Sequence, residues 1–300
     1  MLLGERSWRI YILIPILIGS LSKHGFAQIT QRSHKINREI NFSYDNDVYF
    51  GTDRYYSSGA NLHYSRLIDH TNRFYSQFTN KSSDSSKLII RYTYGHKIFT
   101  PNKIKVAPSQ ILDGDRPYAG WHFMAISVAN FPSPRSKNSY QLTLGLVGER
   151  SGIGNFHEWW HEKFNMPHPT GWDSEIQNEM ILNVRYNRIQ DVKIYKGMDV
   201  ITESKFQLGN GINELGQSAT IRWGKINPII NSGFADSRLS NIIPPQGNAS
   251  LIQEEIFLFY GWDANYVLSN IFIQGSLCNR QSPLTKDVAP FVFTRKYGFM

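Results

Sequence analysis

Two histidines and a glutamate in the stretch NFHEWWHEKF, residues 155–164, have a spacing that can support hydrolytic chemistry. His157, Glu158 and His161 spell H-E-x-x-H, the signature of zinc-dependent hydrolases. Side chains four residues apart share one face of a helix, so the two histidines could bind one metal ion. Glu158 would then act as general base on a metal-bound water. Whether the motif does so depends on the elements that position it.

A second group of polar side chains lies in YDNDVYFGTDRYYSSG, residues 44–59. Asn46 and Asp47 end one alternating segment, and Ser57 and Ser58 begin the next one across a short connection. Carboxylate, amide and hydroxyl oxygens in a small volume suit a hard cation such as Ca²⁺ better than zinc. The same residue types also stabilise tight loops through Asx-type hydrogen bonds, so this segment alone leaves both interpretations open.

The first 27 residues have the order of parts found in a secretory signal. Arg6 and Arg9 form a basic start, an apolar run follows, and small residues around Ala27 predict a cleavage site. The apolar run is much shorter than the roughly 20 residues that a membrane-spanning helix needs. We therefore expect residues 1–27 to be a signal peptide and residues 28–37 to be a short N-terminal lead.

Composition excludes several classes of protein. The formal net charge of +8 is spread along the chain without a dense Lys/Arg block, so no nucleic-acid partner is expected. Cys278 is the single cysteine, which excludes an internal disulfide and a cysteine-cluster metal site. Aromatic residues make up 14% of the sequence, yet no later segment is apolar for 18 residues. A membrane protein with this profile is a barrel of strands rather than a helix bundle.

Apolar and polar residues alternate along most of the chain. In the first such segment, Ile40, Phe42 and Tyr44 share one face and Asn41 and Ser43 share the other. Across these segments the polar face carries Asn, Ser, Thr, Gly and single Arg residues, and the apolar face is unusually aromatic. This combination suits a barrel with lipid outside and a polar lumen, with a soluble β-sandwich as the alternative.

The alternating segments also predict the size of the fold. About twelve lie near 38–47, 57–67, 88–99, 120–131, 138–149, 178–189, 194–204, 205–212, 217–226, 254–262, 267–275 and 288–300. The sequence therefore predicts an all-β fold, a transmembrane antiparallel up-and-down β-barrel of about 12 strands. It would occupy residues 38–300 as one enzyme domain in the outer membrane of a Gram-negative bacterium.

The unusual polar clusters are expected at one end of this barrel, because alternate connections of an up-and-down barrel lie at the same end. The first, third and fifth connections are 48–56, 100–119 and 150–177. With a periplasmic N-terminus, their rim faces the outside. The fifth holds a short helix, predicted with Asn155 as N-cap and an end near Phe164 before Pro167. Trp121, which follows the third, is expected to anchor the barrel at the membrane interface.

Four motifs in register resemble those of a known family. They are DND…GTDRYYSSG, DRPYAGW, the Gly-rich lead into a helix containing WWH, and GWDSEIQNE. Together they are similar to the outer-membrane lipid A 3′-O-deacylases, over the chain from about residue 38 to the end. The resemblance implies a Ca²⁺-dependent site on the outer rim that hydrolyses an ester of lipid A.

The resemblance also implies the site residues. Catalysis is assigned to His161, Asn46, Asp47, Ser57 and His157, and calcium binding to Asp47 and Asn46. Within this set His161 matches the family's catalytic histidine, whereas His157 stands where the family usually has Gln. The family's active-site lysine has no clear match, although Lys103 and Lys105 lie near the expected position.

We therefore expect an outer-membrane carboxylic ester hydrolase that removes a 3′-O acyl group from the lipid A of lipopolysaccharide. His161 would activate water, Ca²⁺ would be the cofactor, outer-membrane lipids would surround the protein, and the protein would be a monomer. One alternative is a non-catalytic barrel, either a small pore or a structural protein. Another is a zinc hydrolase using His157, Glu158 and His161, which would need a third protein ligand. A phospholipase-like esterase would share the chemistry and differ in substrate.

Overall fold

The computed structural model describes residues 37–46, 55–69, 71–79, 87–104, 115–239, 254–276 and 282–300. The predicted signal peptide, nearly all of the N-terminal lead, Asp47 and Lys105 lie outside the described residues. Across the ranges that are described, no helix is both long enough and apolar enough to cross a membrane.

Ten antiparallel strands form one continuous wall in which each strand is hydrogen bonded to the next. They are β1 Arg38–Asn46, β2 Tyr55–Leu67, β3 Leu88–Thr100, β4 Ala119–Ser133, β5 Ser136–Val147, β6 Glu179–Tyr195, β7 Met198–Gly209, β8 Ile212–Lys225, β9 Ile256–Asn270 and β10 Phe291–Phe299. The described residues also form three short α-helices, α1 Tyr75–Phe78, α2 Ile153–Lys163 and α3 Ile271–Gln274. Within those residues four 3-10 turns lie in the connections, at Glu149–Ser151, Trp172–Ser174, Ile229–Asn231 and Gly233–Ala235. The predicted all-β, antiparallel, up-and-down barrel architecture is confirmed.

The twelve predicted segments correspond to ten strands in the described part of the chain because some of the strands are long. The segment 254–262 and the first part of 267–275 share the single 15-residue strand β9, and the rest of the second segment is largely α3. The segments 194–204 and 205–212 both overlap β7. Asp263 of β9 lies between 254–262 and 267–275 and extends into the lumen, where Lys205 Nζ and Lys296 Nζ lie 3.9 and 3.5 Å from its carboxylate. A polar residue in the middle of a barrel strand therefore marks the lumen face rather than the end of a strand.

The two faces of the wall differ as the alternation predicts. On β1, Ile40 and Phe42 are 74% and 65% exposed on the outer face. On the lumen side the side chains are polar and bonded to one another, as where Arg185 Nε donates to Gln207 Oε1 at 2.7 Å. A barrel in a lipid bilayer needs this arrangement, with apolar residues outside and hydrogen-bonded polar residues inside.

Residues 226–239 of the β8–β9 connection fold back into the lumen, and we call this segment the periplasmic plug. Ile229 and Ile230 are fully buried in one cluster with lumen-facing residues of the wall, among them Ile89 and Phe131. These wall residues lie near the turns at the end opposite the outer rim. Apolar burial therefore fastens the plug inside the periplasmic end of the barrel.

Charged side chains of the wall also hold the periplasmic plug, mostly by hydrogen bonds to its backbone carbonyl groups. Lys87 Nζ donates to the carbonyl oxygens of Ile230, at 2.8 Å, and of Ser237. Lys137 Nζ donates to the carbonyl oxygen of Ala235 at 2.5 Å. Arg222, which is fully buried, donates to Ser232 Oγ at 2.7 Å. Buried ammonium and guanidinium groups need such partners, so the plug is part of the barrel's own packing.

A second segment occupies the lumen near the outer rim. Helix α3 places Phe272 against Trp121 and Phe99, with ring centroids 4.9 and 5.1 Å apart, and Arg116 Nη2 donates to the Phe272 carbonyl at 3.2 Å. The prediction that Trp121 anchors the barrel at the membrane interface is therefore wrong. Trp121 is 7% exposed because β4 turns it inward, where it packs on this helix.

Candidate active site

A β-bulge at the start of β2 brings two serines to the outer face of the wall. Tyr56 pairs with Phe99 and Ser58 pairs with Ile98, so Ser57 is the extra residue between them. Because a bulge interrupts the alternation, Ser57 and Ser58 both line the same outer cleft. Ser57 Oγ lies 2.6 Å from Thr100 Oγ1 on β3, and both side chains are buried.

Strand register arranges the outer wall beneath this bulge in two rows. The rim row consists of Asn46, Ser58 and Ile98, which are paired across β1, β2 and β3. The middle row, two residues deeper along each strand, consists of Tyr44, Ala60 and His96. The two rows are coupled where Asn46 Nδ2 donates to Tyr44 Oη at 2.7 Å.

Helix α2 lies across the outside of β3 and β4, close to the rim row. Its N-cap is Gly152 with φ of 71°, a left-handed conformation that glycine adopts without strain, so the prediction of Asn155 as N-cap is wrong. Its predicted end at Phe164 is confirmed. At Gly120 of β4 a Cβ atom would lie 2.6 Å from Ile153 Cβ, so glycine is what permits this close approach.

His161 projects from α2 into the cleft, where it is 3% exposed. Its Nδ1 lies 2.5 Å from the carbonyl oxygen of Pro167. Because a carbonyl oxygen only accepts hydrogen bonds, Nδ1 carries a proton, and in the neutral ring Nε2 is the nitrogen with the lone pair. This tautomer and fixed ring orientation are what a general base needs.

His157 lies one helical turn earlier, with its ring 4.3 Å from that of His161. Trp172 Nε1 donates to His157 Nδ1 at 3.2 Å. Burial, reinforced by the nearby His161 and His168, lowers the pKa of His157 to about 3. His157 is therefore neutral at physiological pH, and its Nδ1 is engaged as the acceptor for Trp172.

The rows of the wall and helix α2 enclose a cleft of about 240 Å³. At the rim row the wall contributes Asn46, Ser57 and Ser58 with Ile98, and deeper down it contributes Tyr44, Ala60, His96 and then Phe42. Helix α2 and the residues after it contribute His157 and His161 together with Phe156, Trp160 and Met166. The cleft therefore opens on the lipid-facing wall and changes from polar to apolar as it descends toward the membrane.

The structure thus brings together four of the five residues assigned to catalysis: Asn46, Ser57, His157 and His161. Asp47 follows Asn46 directly but lies outside the described residues. Lys103 is exposed and is not part of the cleft lining. In the described ranges, no group of three His, Cys, Asp or Glu side chains is placed to hold a metal, so H-E-x-x-H has no third ligand there.

Sequence reasoning did not find two groups that fix the histidines. Trp172 and the carbonyl of Pro167 hold the two rings, and both lie beyond the helix in the same connection. The sequence predicts Pro167 only as a residue beyond the end of the helix, and a backbone carbonyl leaves no mark in side-chain identity. His96, the third imidazole of the cleft, was also not identified.

Comparison with known proteins agrees with this architecture. A family model described as "Outer membrane protein LpxR" matches residues 13–300. The chain belongs to this family. It is therefore a protein of the Gram-negative outer membrane. No curated protein sequence matches the chain.

A solved structure supports the fold independently. LpxR from Salmonella typhimurium superposes with a TM-score of 0.59 at 19% sequence identity, covering 82% of this chain and 78% of that one. At this identity the likeness concerns the fold alone. The positions assigned to catalysis in the present chain therefore rest on its own motifs and geometry.

The family's usual glutamine at position 157 leads to a prediction. His157→Gln is expected to keep activity within about threefold, because a Gln carbonyl can replace the acceptor for Trp172 Nε1. His157→Leu leaves that indole donor buried without a partner, at a cost of about 1–3 kcal/mol. We expect it to lower activity at least tenfold, measured as initial rates of ester hydrolysis.

The same residue makes the α2 region sensitive to acid. The pKa of His157 in the folded protein, about 3, lies below the ordinary value of 6.5. Protonation therefore favours a state in which His157 is exposed to water. The contribution of neutral His157 to the free energy of unfolding is fully present above pH 6.5. It decreases as the pH drops toward 3, by up to about 1.4 kcal/mol per pH unit. Tryptophan fluorescence during acid titration should show an earlier transition in wild type than in His157→Gln. Coincident curves would contradict this role of burial.

Proposed function

We propose that the protein is a carboxylic ester hydrolase that removes a 3′-O-linked acyl group from lipid A in the outer leaflet. The observation that carries the proposal is the cleft, where a buried His161 with a defined tautomer lines a groove that becomes apolar toward the membrane. A membrane lipid ester shows the same change, from a polar headgroup to an apolar acyl chain. Its headgroup and ester would meet the rim while its acyl chain descends along the wall.

The chemistry is hydrolysis by an activated water. Nε2 of His161 takes a proton from water as the water oxygen attacks the ester carbonyl carbon. The imidazolium then gives that proton to the departing sugar oxygen, which leaves as a hydroxyl, and the acyl group leaves as a carboxylic acid. The Pro167 carbonyl, which accepts from Nδ1, holds the ring in place and stabilises its positive charge.

The proposal includes a bound Ca²⁺ ion, and the side chains at the rim offer oxygen atoms that could hold it. The bulge brings the Ser57 and Ser58 hydroxyls beside the Asn46 amide, and Asp47 follows in the chain. Asp47 and Asn46 would hold the ion, with Ser57 nearby. These are oxygen donors of the type that Ca²⁺ prefers. Bound there, Ca²⁺ would polarise the ester carbonyl and stabilise the developing oxyanion.

The first experiment compares lipid A from cells with and without the protein. Mass spectrometry in the presence of Ca²⁺ is expected to show a species lighter by one acyl or acyloxyacyl group only when the protein is expressed. Tandem fragmentation should locate the loss at the 3′ oxygen. Unchanged lipid A would reject this substrate, and loss of acyl groups from glycerophospholipids instead would support the phospholipase-like alternative.

The non-catalytic pore is disfavoured by what occupies the lumen. The periplasmic plug packs inside one end, and Phe272 of α3 packs on Trp121 and Phe99 near the other. The purified protein in planar lipid bilayers is therefore expected to show no steady ion conductance under conditions where an open porin conducts. Stable channels with a defined unit conductance would contradict this prediction and favour the pore.

A further inference from the structure

His96 is the third imidazole of the cleft, and its position differs from those of the two α2 histidines. It lies on β3 in the middle row, one row deeper than the rim row that contains Asn46. Successive residues on one face of a strand are about 7 Å apart along its axis. An ester held at the rim row would therefore have its first acyl carbons near His96.

The middle row leaves a passage for such a chain. Ala60 stands between Tyr44 and His96 in the paired register, and its methyl group is the smallest side chain of the row. Phe156 and Trp160 of α2 cover the row from the other side of the cleft. The acyl chain would pass over Ala60, with the His96 imidazole as one side of its path.

The hydrogen-bonding capacity of His96 is not used within the described part of the protein. Its ring contacts Phe156 edge-on, with centroids 5.4 Å apart, and among the described residues neither ring nitrogen has a hydrogen-bond partner. His157 and His161, in contrast, each bond to a neighbour. A polar ring in an apolar groove on a lipid-facing wall is unfavourable unless it finds a partner.

Building on the proposed function, we propose that His96 is a specificity-determining residue that hydrogen-bonds an oxygen on carbon 3 of the acyl chain. The cleft then takes 3-hydroxyacyl and 3-acyloxyacyl esters in preference to plain fatty acyl esters. A neutral imidazole donates to an acyloxy or hydroxyl oxygen through one nitrogen and accepts from a hydroxyl through the other. His96 makes and breaks no covalent bond in this role.

Two chromogenic esters test the assignment. Hydrolysis of p-nitrophenyl 3-hydroxymyristate and p-nitrophenyl myristate by the purified protein in detergent with Ca²⁺ gives kcat/KM for each. Wild type is expected to prefer the hydroxy ester by roughly tenfold, the effect of one hydrogen bond. His96→Leu should bring the ratio to about 1 by losing rate on the hydroxy ester alone. His96→Gln, which keeps a hydrogen-bonding group, should restore part of the preference.

The matched control is His122→Leu. His122 faces His96 across the β3–β4 pair but does not line the cleft, so its loss should leave the ratio unchanged. Heat-dependent migration on a gel verifies that each variant is a folded barrel. Equal losses on both esters in His96→Leu, or no preference in wild type, would overturn the assignment while the esterase proposal stands. If wild type cleaves neither ester, the His96 assignment fails, whereas the esterase proposal is decided separately by the lipid A experiment.

Discussion

Replacing His161 with alanine is expected to lower lipid A deacylation by at least about 100-fold while the barrel still folds and inserts. The reason is that Nε2 of His161 is the proposed proton acceptor, and the backbone carbonyl of Pro167 holds its ring. Removing the ring takes away the base without disturbing any strand. The measurement is mass spectrometry of lipid A from cells that express each variant at matched levels.

The same loop provides a matched control for His161. His168 is an exposed histidine seven residues further on, so His168→Ala removes an imidazole from the loop without touching the cleft lining. We expect it to keep wild-type activity. Full turnover in His161→Ala, or equal losses in the two variants, would show that His161 is not the general base.

Removal of calcium is expected to have a comparably large effect. Oxygen sites on extracellular surfaces bind Ca²⁺ with dissociation constants of about 10⁻⁴–10⁻³ M, so EGTA should strip the ion and stop hydrolysis. Adding Ca²⁺ back should restore the rate. Asp47→Asn should retain the fold but require more Ca²⁺ for half-maximal activity, because it removes the negative charge from the proposed donor set.

A zinc-selective chelator separates this prediction from the H-E-x-x-H alternative. It is expected to leave the rate unchanged, since His157 and His161 have no third ligand in the described ranges and their Nδ1 atoms face Trp172 and Pro167. Activity that survives EGTA and is lost with the zinc chelator would reverse the assignment.

The strand count shows where a local pattern is ambiguous. The alternation located the wall correctly, but the break predicted between the segments 254–262 and 267–275 falls inside a strand that continues through Asp263 to Asn270. An acidic residue within an alternating run is compatible with a turn or with a lumen-facing position. Only the partners Lys205 and Lys296, on other strands, distinguish the two.

The sequence alone determined the barrel and the two segments that meet in the cleft. Each strand shows the alternation, with an aromatic apolar face, by itself. A strand that has lipid on one side and a polar lumen on the other requires this pattern. Likewise, the i and i+4 spacing of His157 and His161 places them on one helix face in any fold.

Tertiary structure alone decided what those residues contact. The bulge at Ser57 depends on pairing with β3, and the His161 tautomer depends on the backbone of Pro167. The periplasmic plug depends on contacts such as Lys87 with Ile230, which are 143 residues apart. Partners so distant along the chain meet only after the barrel has formed, so no local period or motif can encode them.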